Sequence, residues 1–234
     1  MFSTLGYGLT IDMDVPWQPN TEWWRDTFDT RHNIRYTKRA NRALRGSVWV
    51  KSLSIRTMNI ADFRAVENLR HLRSFEFIAY NPLEINLSRL ERLEELELGQ
   101  WPDAVRGLRN LSNLRSVSGQ KLPIHLLADL PSGLEFIAGV GASFLKCDFR
   151  AFPNLKTIRI GISRNLNFAK TAGSTSVQKM VLWEVDKIEN AEHLVGVFPN
   201  LRVIELDWVS PEVERALRNV ANELVKVTAT RILA

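Results

Sequence analysis

Cysteine is almost absent from this chain. Cys147 is the single one among 234 residues, so no intramolecular disulfide can form and nothing indicates an oxidising compartment. Histidine is scarce as well: His32, His71, His125 and His193 lie far apart, none with a ligand-spaced neighbour. A zinc site needs several His, Cys or carboxylate ligands converging, so no metal is expected. Cys147 follows Leu145 and Lys146 without a partner base nearby in sequence, which reads as a packed thiol and not a nucleophile. No apolar run approaches the ~18 residues needed to span a bilayer. Residues 1–15 contain no basic residue and carry Asp12 and Asp14, unlike a secretory leader. A cytoplasmic location is the expectation.

Catalytic signatures are missing too. There is no Walker loop, no G-x-S-x-G and no H-E-x-x-H, and the glycine cluster from Gly133 to Gly141 lacks a following Lys-Ser or a dinucleotide pattern. Neighbouring carboxylates such as Glu94 and Glu95 sit side by side on a predicted strand, hence on opposite faces. Neither catalysis nor a cofactor is expected. The chain is 45% hydrophobic and 24% charged, the composition of a folded domain. Its net charge of +5 could point to nucleic acid. However, the basic residues are scattered, and even the densest stretch, Arg31 to Arg45, interleaves them with apolar and polar ones. Nucleic-acid binding through Arg106, Arg109 and Arg115 is the weaker reading.

What the chain does have is a repeat. An apolar or small residue recurs at positions 1, 4 and 6 of eight segments. They are Val50/Leu53/Ile55, Leu72/Phe75/Phe77, Leu93/Leu96/Leu98, Leu114/Val117/Gly119, Leu134/Ile137/Gly139, Leu155/Ile158/Ile160, Val177/Met180/Leu182 and Leu201/Ile204/Leu206. Successive first anchors are 20 to 24 residues apart. A fixed period of this length marks stacked units, none of which can bury its apolar face alone. Positions 4 and 6 share one face of a short strand, and positions 3, 5 and 7 share the other. Three residues upstream of the first anchor stands another apolar residue: Leu69, Leu90, Leu111, Phe152 and Phe198.

The resulting L-x-x-L-x-x-L-x-L line, clearest over 90–98 and 198–206, resembles the leucine-rich repeat family, most closely its short class of 21 to 22 residues. The resemblance implies an α/β fold, a right-handed solenoid. It has a parallel sheet on one face and short helices or 3₁₀ turns on the other. It also implies recognition without catalysis. The chain departs from the family where Asn or Cys usually follows the strand: Tyr80, Trp101, Leu122, Ala142, Ser163, Val185 and Val209 stand there instead. Apolar packing must then hold that corner. Gly119 and Gly139 take core-facing slots, leaving room for large neighbours.

Three segments are expected. Residues 1–47 form an N-terminal cap, with a half-buried strand through Leu9, Ile11, Met13 and Val15. The aromatics Trp17, Trp23, Trp24, Phe28 and Tyr36 of this segment either cover the first repeat or grip a partner. Residues 48–209 hold the eight repeats, with helical turns over 61–69, 88–93 and 104–111 and irregular loop over 165–176. Residues 210–234 close the far end. Ser210 is the N-cap and Pro211 the first residue of a helix carrying Val213, Leu217, Val220 and Leu224, and a closing strand follows over 225–229.

Positions 3, 5, 7 and 8 predict the outward face of the sheet. It carries six acidic residues (Glu76, Glu95, Glu97, Glu184, Glu205, Asp207) against Arg56, Lys121, Arg159 and Lys179, opposite in sign to the whole chain. Phe136, Trp183 and Trp208 share that face. Exposed aromatics with charge around them suit a protein interface. The expected contact set is therefore Glu76, Glu95, Glu97, Phe136, Arg159, Trp183, Glu184, Glu205, Asp207 and Trp208. The expected partner is another protein, a small and basic domain, with no membrane and no small-molecule cofactor involved. Size and charge contrast suggest an immunity or inhibitor protein that neutralises a basic toxin. A scaffold or regulatory subunit that positions an enzyme is the alternative.

Overall fold

The computed structural model describes residues 8–13, 50–57, 64–79, 85–101, 105–120, 122–221 and 225–232. The chain divides into two compact units, residues 1–114 and 115–234. Both carry the parallel strand stacking that the repeat spacing implies.

In the first unit β1 (Gly8–Met13) runs antiparallel to β2 (Val50–Thr57), which is parallel to β3 (Ser74–Ala79). β1 fulfils the strand expected near the N-terminus. Val15 and the aromatics from Trp17 to Tyr36 lie outside the described residues. Two-residue strands β4 (Ile85–Asn86) and β6 (Val105–Arg106) pair on the return path, on either side of β5 (Glu95–Gln100) in sequence. β3 is parallel to β5, so Leu53, Phe75 and Leu96 fall in one row, and all three are buried. Phe77 and Leu98 form the next buried row, and the Phe75 and Phe77 rings stack with centroids 6.1 Å apart.

The three-residue spacing of the upstream leucines has a local cause. The Leu90 N–H donates to the Leu87 carbonyl and Leu93 to Leu90, both at 2.9 Å. Leu69, Leu72, Leu111 and Leu114 likewise bond the residue three before them. Such i→i+3 bonds are those of a 3₁₀ turn, in which side chains three apart eclipse on one side. Leu87, Leu90 and Leu93 therefore point together into the core, and each is fully buried. Accordingly, where helical turns were expected, the described residues show 3₁₀ segments at Arg64–Asn68 and Leu108–Asn110 and tight turns over 87–93.

The second unit stacks β7 (Ser116–Gln120), β8 (Phe136–Val140), β9 (Thr157–Ser163), β11 (Lys179–Val185), β13 (Val203–Val209) and β14 (Lys226–Ile232) in that order, all parallel. Two-residue strands β10 (Leu166–Asn167) and β12 (Ile188–Glu189) pair on the return path. The segment 165–176, expected to be irregular, thus contributes a strand, because Leu166 and Phe168 are both fully buried and anchor it. Inward rows run Ile137, Ile158, Met180, Ile204 and then Gly139, Ile160, Leu182, Leu206. The gap at Gly139 is filled by Phe144: a Cβ at Gly139 would lie 2.4 Å from that ring. Phe144 packs edge-on to Phe149 (5.6 Å), and Phe149 packs on Phe198 (5.8 Å), all buried.

The C-terminal cover has the expected chemistry with shifted ends. The helix spans Pro211–Val220; the Ser210 side chain caps it by accepting from the Val213 N–H at 3.2 Å. Ser210 Oγ also donates to the Asp186 carbonyl, 2.6 Å away, tying the helix start to the previous repeat. Val213 and Leu217 are buried; Ala221 is extended and ends the helix, and Leu224 lies outside the described residues. The closing strand is longer than expected and adds parallel to β13.

Gly139→Ala places a methyl group against the buried Phe144 ring, and overpacking of this kind costs about 1–3 kcal/mol. Denaturant unfolding should show that loss, and Gly139→Ala combined with Phe144→Leu should recover part of it.

Candidate protein-binding surface

Strand alternation positions the outward side chains, and each unit has its own set. In the first unit, register aligns Ser52, Ser74 and Glu95 in one row and Ser54, Glu76 and Glu97 in the next. Glu76 and Glu97 are directly opposed, which repulsion disfavours. A serine hydroxyl offsets it, with Ser54 Oγ donating to Glu76; in the neighbouring row Ser74 Oγ donates to Glu95 Oε2 at 3.0 Å. The three predicted carboxylates of this unit thus lie together on adjacent strands, Glu95 and Glu97 exposed and Glu76 half-buried.

The second unit gathers the other seven predicted residues. Phe136 is half-buried beside Thr157 and Lys179 in the first outward row. Ala138, Arg159, Val181 and Glu205 form the second row, and Val140, Gly161, Trp183 and Asp207 the third. Trp183 covers Gly161, where a Cβ would come within 2.4 Å of the indole. The Arg159 guanidinium stacks on that indole, 5.3 Å from its centroid. One repeat further on, Arg231 of the closing strand stacks on Trp208 at 5.2 Å. Lys179 Nζ holds Glu205 Oε1 at 2.8 Å. Asp207 lies opposite Arg231 in the ladder, and its Oδ1 is buried with no hydrogen-bond partner among the described residues.

This distribution changes the charge picture for the second unit. The closing strand adds Lys226 and Arg231 to its outward side, beside Arg159 and Lys179, against Glu184, Glu205 and Asp207. The acidic excess read from the repeats belongs to the first unit. Alternation along the last strand would place Lys226, Thr228 and Thr230 on one side; a register shift after Ala229 sets Arg231 opposite Asp207 instead, so its outward place is not legible in the sequence.

Position 8 behaves differently from positions 3, 5 and 7. Gly141, Ile162, Glu184 and Trp208 occupy that position in successive repeats, and all four have positive φ: 82°, 45°, 52° and 55°. Each is one extra residue between inward position 6 and the next buried residue. For the last three repeats that next residue is Ser163, Val185 or Val209. The ladder accordingly pairs Trp183 with Gly161 and Val185 with Ser163, leaving 162 and 184 bulged together. A bulge of this type re-aims a side chain outward. Ile162 and Trp208 remain 43% and 39% exposed. For L-residues the left-handed region costs about 1–2 kcal/mol, and for β-branched Ile162 it is a marked outlier. The corner after the bulge is held by Trp101 and Leu122 in their repeats as well as Val185 and Val209, all buried, in keeping with the apolar corner expected there.

Side-chain amides nevertheless link repeats, at a position sequence reading overlooked. Asn113 Nδ2 donates to the Glu91 carbonyl and Asn200 Nδ2 to the Thr175 carbonyl, both at 2.7 Å. The signal was the Asn immediately before the first anchor in 113–114, 154–155 and 200–201.

Elsewhere, no three His, Cys, Asp or Glu side chains among the described residues could hold a metal ion. No helix among them is long and apolar enough to cross a membrane. Cys147 is buried, and desolvation, with a smaller push from the Asp148 carboxylate, raises its thiol to about 12.

No protein-family model matches the chain, and no curated protein matches it. Among solved structures it is similar to an internalin from Listeria monocytogenes, with 15% identity over 76% of this chain and 67% of that one, at a TM-score of 0.37. The leucine-rich-repeat-like description rests on the strand register and the repeat spacing.

Two outcomes follow from this geometry. Ile162→Asn relieves the left-handed strain at an exposed site and should raise unfolding stability by about 1 kcal/mol in chemical denaturation. Cys147, neutral until its raised pKa is approached, should resist thiol reagents at neutral pH and react fully only in denaturant. Rapid labelling of the folded protein would contradict its burial.

Proposed function

We propose that this chain is a non-catalytic protein-binding module that uses the outward faces of its strands. The observation that carries this reading is the display of Ile162 and Trp208 at strained, bulged positions. Two large apolar side chains, 43% and 39% exposed, occupy sites where glycine would relieve the backbone. Strain of this kind is retained where a function uses it, and exposed aromatics are the usual anchors of protein interfaces.

The narrower role is that of an immunity or inhibitor protein acting on a basic toxin. Its support is the carboxylate group Glu76, Glu95 and Glu97 on the first unit, where outward rows offer acid next to small serines. Small side chains let a partner approach closely, and aligned carboxylates steer a cationic surface.

The test is capture of a bound protein by the wild-type chain beside two variants, Glu95→Lys/Glu97→Lys and Trp208→Ala/Ile162→Ala, with folding checked by circular dichroism. A partner lost by the apolar variant establishes the binding face. A basic partner also lost by charge reversal, with affinity falling as salt rises, establishes the electrostatic role of the first unit. A partner retained by both variants would refute the sheet-face reading.

A further inference from the structure

On the outward side of the second unit stand two arginines, Arg159 and Arg231, that its carboxylates leave aside. Lys179 is paired with Glu205, Lys187 with Glu189 and Lys156 with Glu135, at 2.6 to 3.0 Å. Arg159 and Arg231 have no such ion pair among the described residues. Each instead lies over an indole, Trp183 and Trp208 respectively. Arg231 does so although Asp207 is its ladder neighbour.

Stacking fixes a guanidinium plane without consuming its N–H donors. An arginine so held presents a rigid fork of donors toward solvent, the geometry that takes a carboxylate in bidentate fashion. Both arginines are exposed. Strands β9 and β14 are three steps apart in the sheet, roughly 14 Å. Between the two forks lie Val181, Trp183 and Trp208, with Ile162 at the edge and Gly161 keeping the floor low. Lys226 adds a third cation at the start of the closing strand. Asp207 and Glu184 are the opposing charges, and Glu205 is occupied by Lys179.

We infer that the outward face of the second unit docks a protein segment in which apolar or aromatic side chains are flanked by carboxylates. The apolar groups rest on the Trp183 and Trp208 region, and the carboxylates are received by Arg159 and Arg231. This deepens the reading of the sheet face as a binding surface and rests on it. It assigns the second unit the opposite electrostatic demand from the first.

A random displayed-peptide library selected on the immobilised full chain tests this, repeated with Arg159→Gln/Arg231→Gln, Arg159→Lys/Arg231→Lys and Trp183→Ala/Trp208→Ala. The expected wild-type pool is enriched in Asp or Glu next to apolar or aromatic residues. Selected peptides, resynthesised, should bind the Gln variant at least roughly tenfold more weakly, since hydrogen bonds to a charged group are lost at each fork. The Lys variant should fall between, because charge remains while the fork is gone. The Trp variant should lose binding. Peptides that depend on the tryptophans but show no acidic bias and ignore the Arg substitutions would overturn this inference and leave the sheet-face reading intact. Peptides indifferent to both sets would overturn the reading as well. A pool enriched in Lys and Arg, or no enrichment at all, overturns the inference outright.

Discussion

The stacking of most described repeats depends on a backbone bond from the first-anchor leucine N–H to the carbonyl of the apolar residue three before it, as at Leu72, Leu93, Leu114, Leu155 and Leu201. That i→i+3 bond turns the chain tightly enough for the next strand to start beside the previous one. It also brings the leucines to the same side, where Leu87, Leu90 and Leu93 become fully buried. Looser α-helical turns would advance the side chains by about 100° each and spread them around the axis. The burial of those leucines follows from the tight turn, while the inward rows of the strands follow from the ladder register.

The outward face inherits its order from those rows. Because strands pair in register, a residue type placed at one repeat position meets its counterpart in the next repeat. This brings Glu76 against Glu97, Trp183 against Gly161 and Lys179 near Glu205. The bulge at position 8 is the exception to simple alternation, and it is repeated in step. Since 162 and 184 bulge side by side, the ladder survives and the exposed side chains line up along one edge. A bulge in a single strand would have broken the pairing on both sides.

Side-chain links between repeats are of two kinds, and they differ in strength. Asn113 and Asn200 reach backbone carbonyls of the preceding repeat, satisfying groups that the turn would otherwise leave open. Exposed ion pairs such as Arg73–Glu94 and Lys156–Glu135 decorate the strand starts and contribute little, being screened by water. The same weakness makes the arginine–tryptophan stacks informative. An exposed Arg gains little from a nearby carboxylate, so a planar surface beside it can decide where the side chain lies.

The repeat spacing, the inward rows, the Ser210 cap and the Pro211 helix start were all legible in the amino-acid sequence. They depend on local periods and local hydrogen bonds, which a linear string records. The ends of elements were less so: the C-terminal helix stops at Val220 and the last strand runs to Ile232, because packing sets where an element ends. Which cations face which carboxylates was decided only by the tertiary structure. Arg231 is 23 residues from Trp208 in the sequence, and only the addition of the last strand in parallel register brings guanidinium over indole. Likewise, the exposure of Ile162 and Trp208 follows from a left-handed residue in each strand. The repeat pattern already placed position 8 outward; the bulge that turns it there is what nothing in the residue types announces.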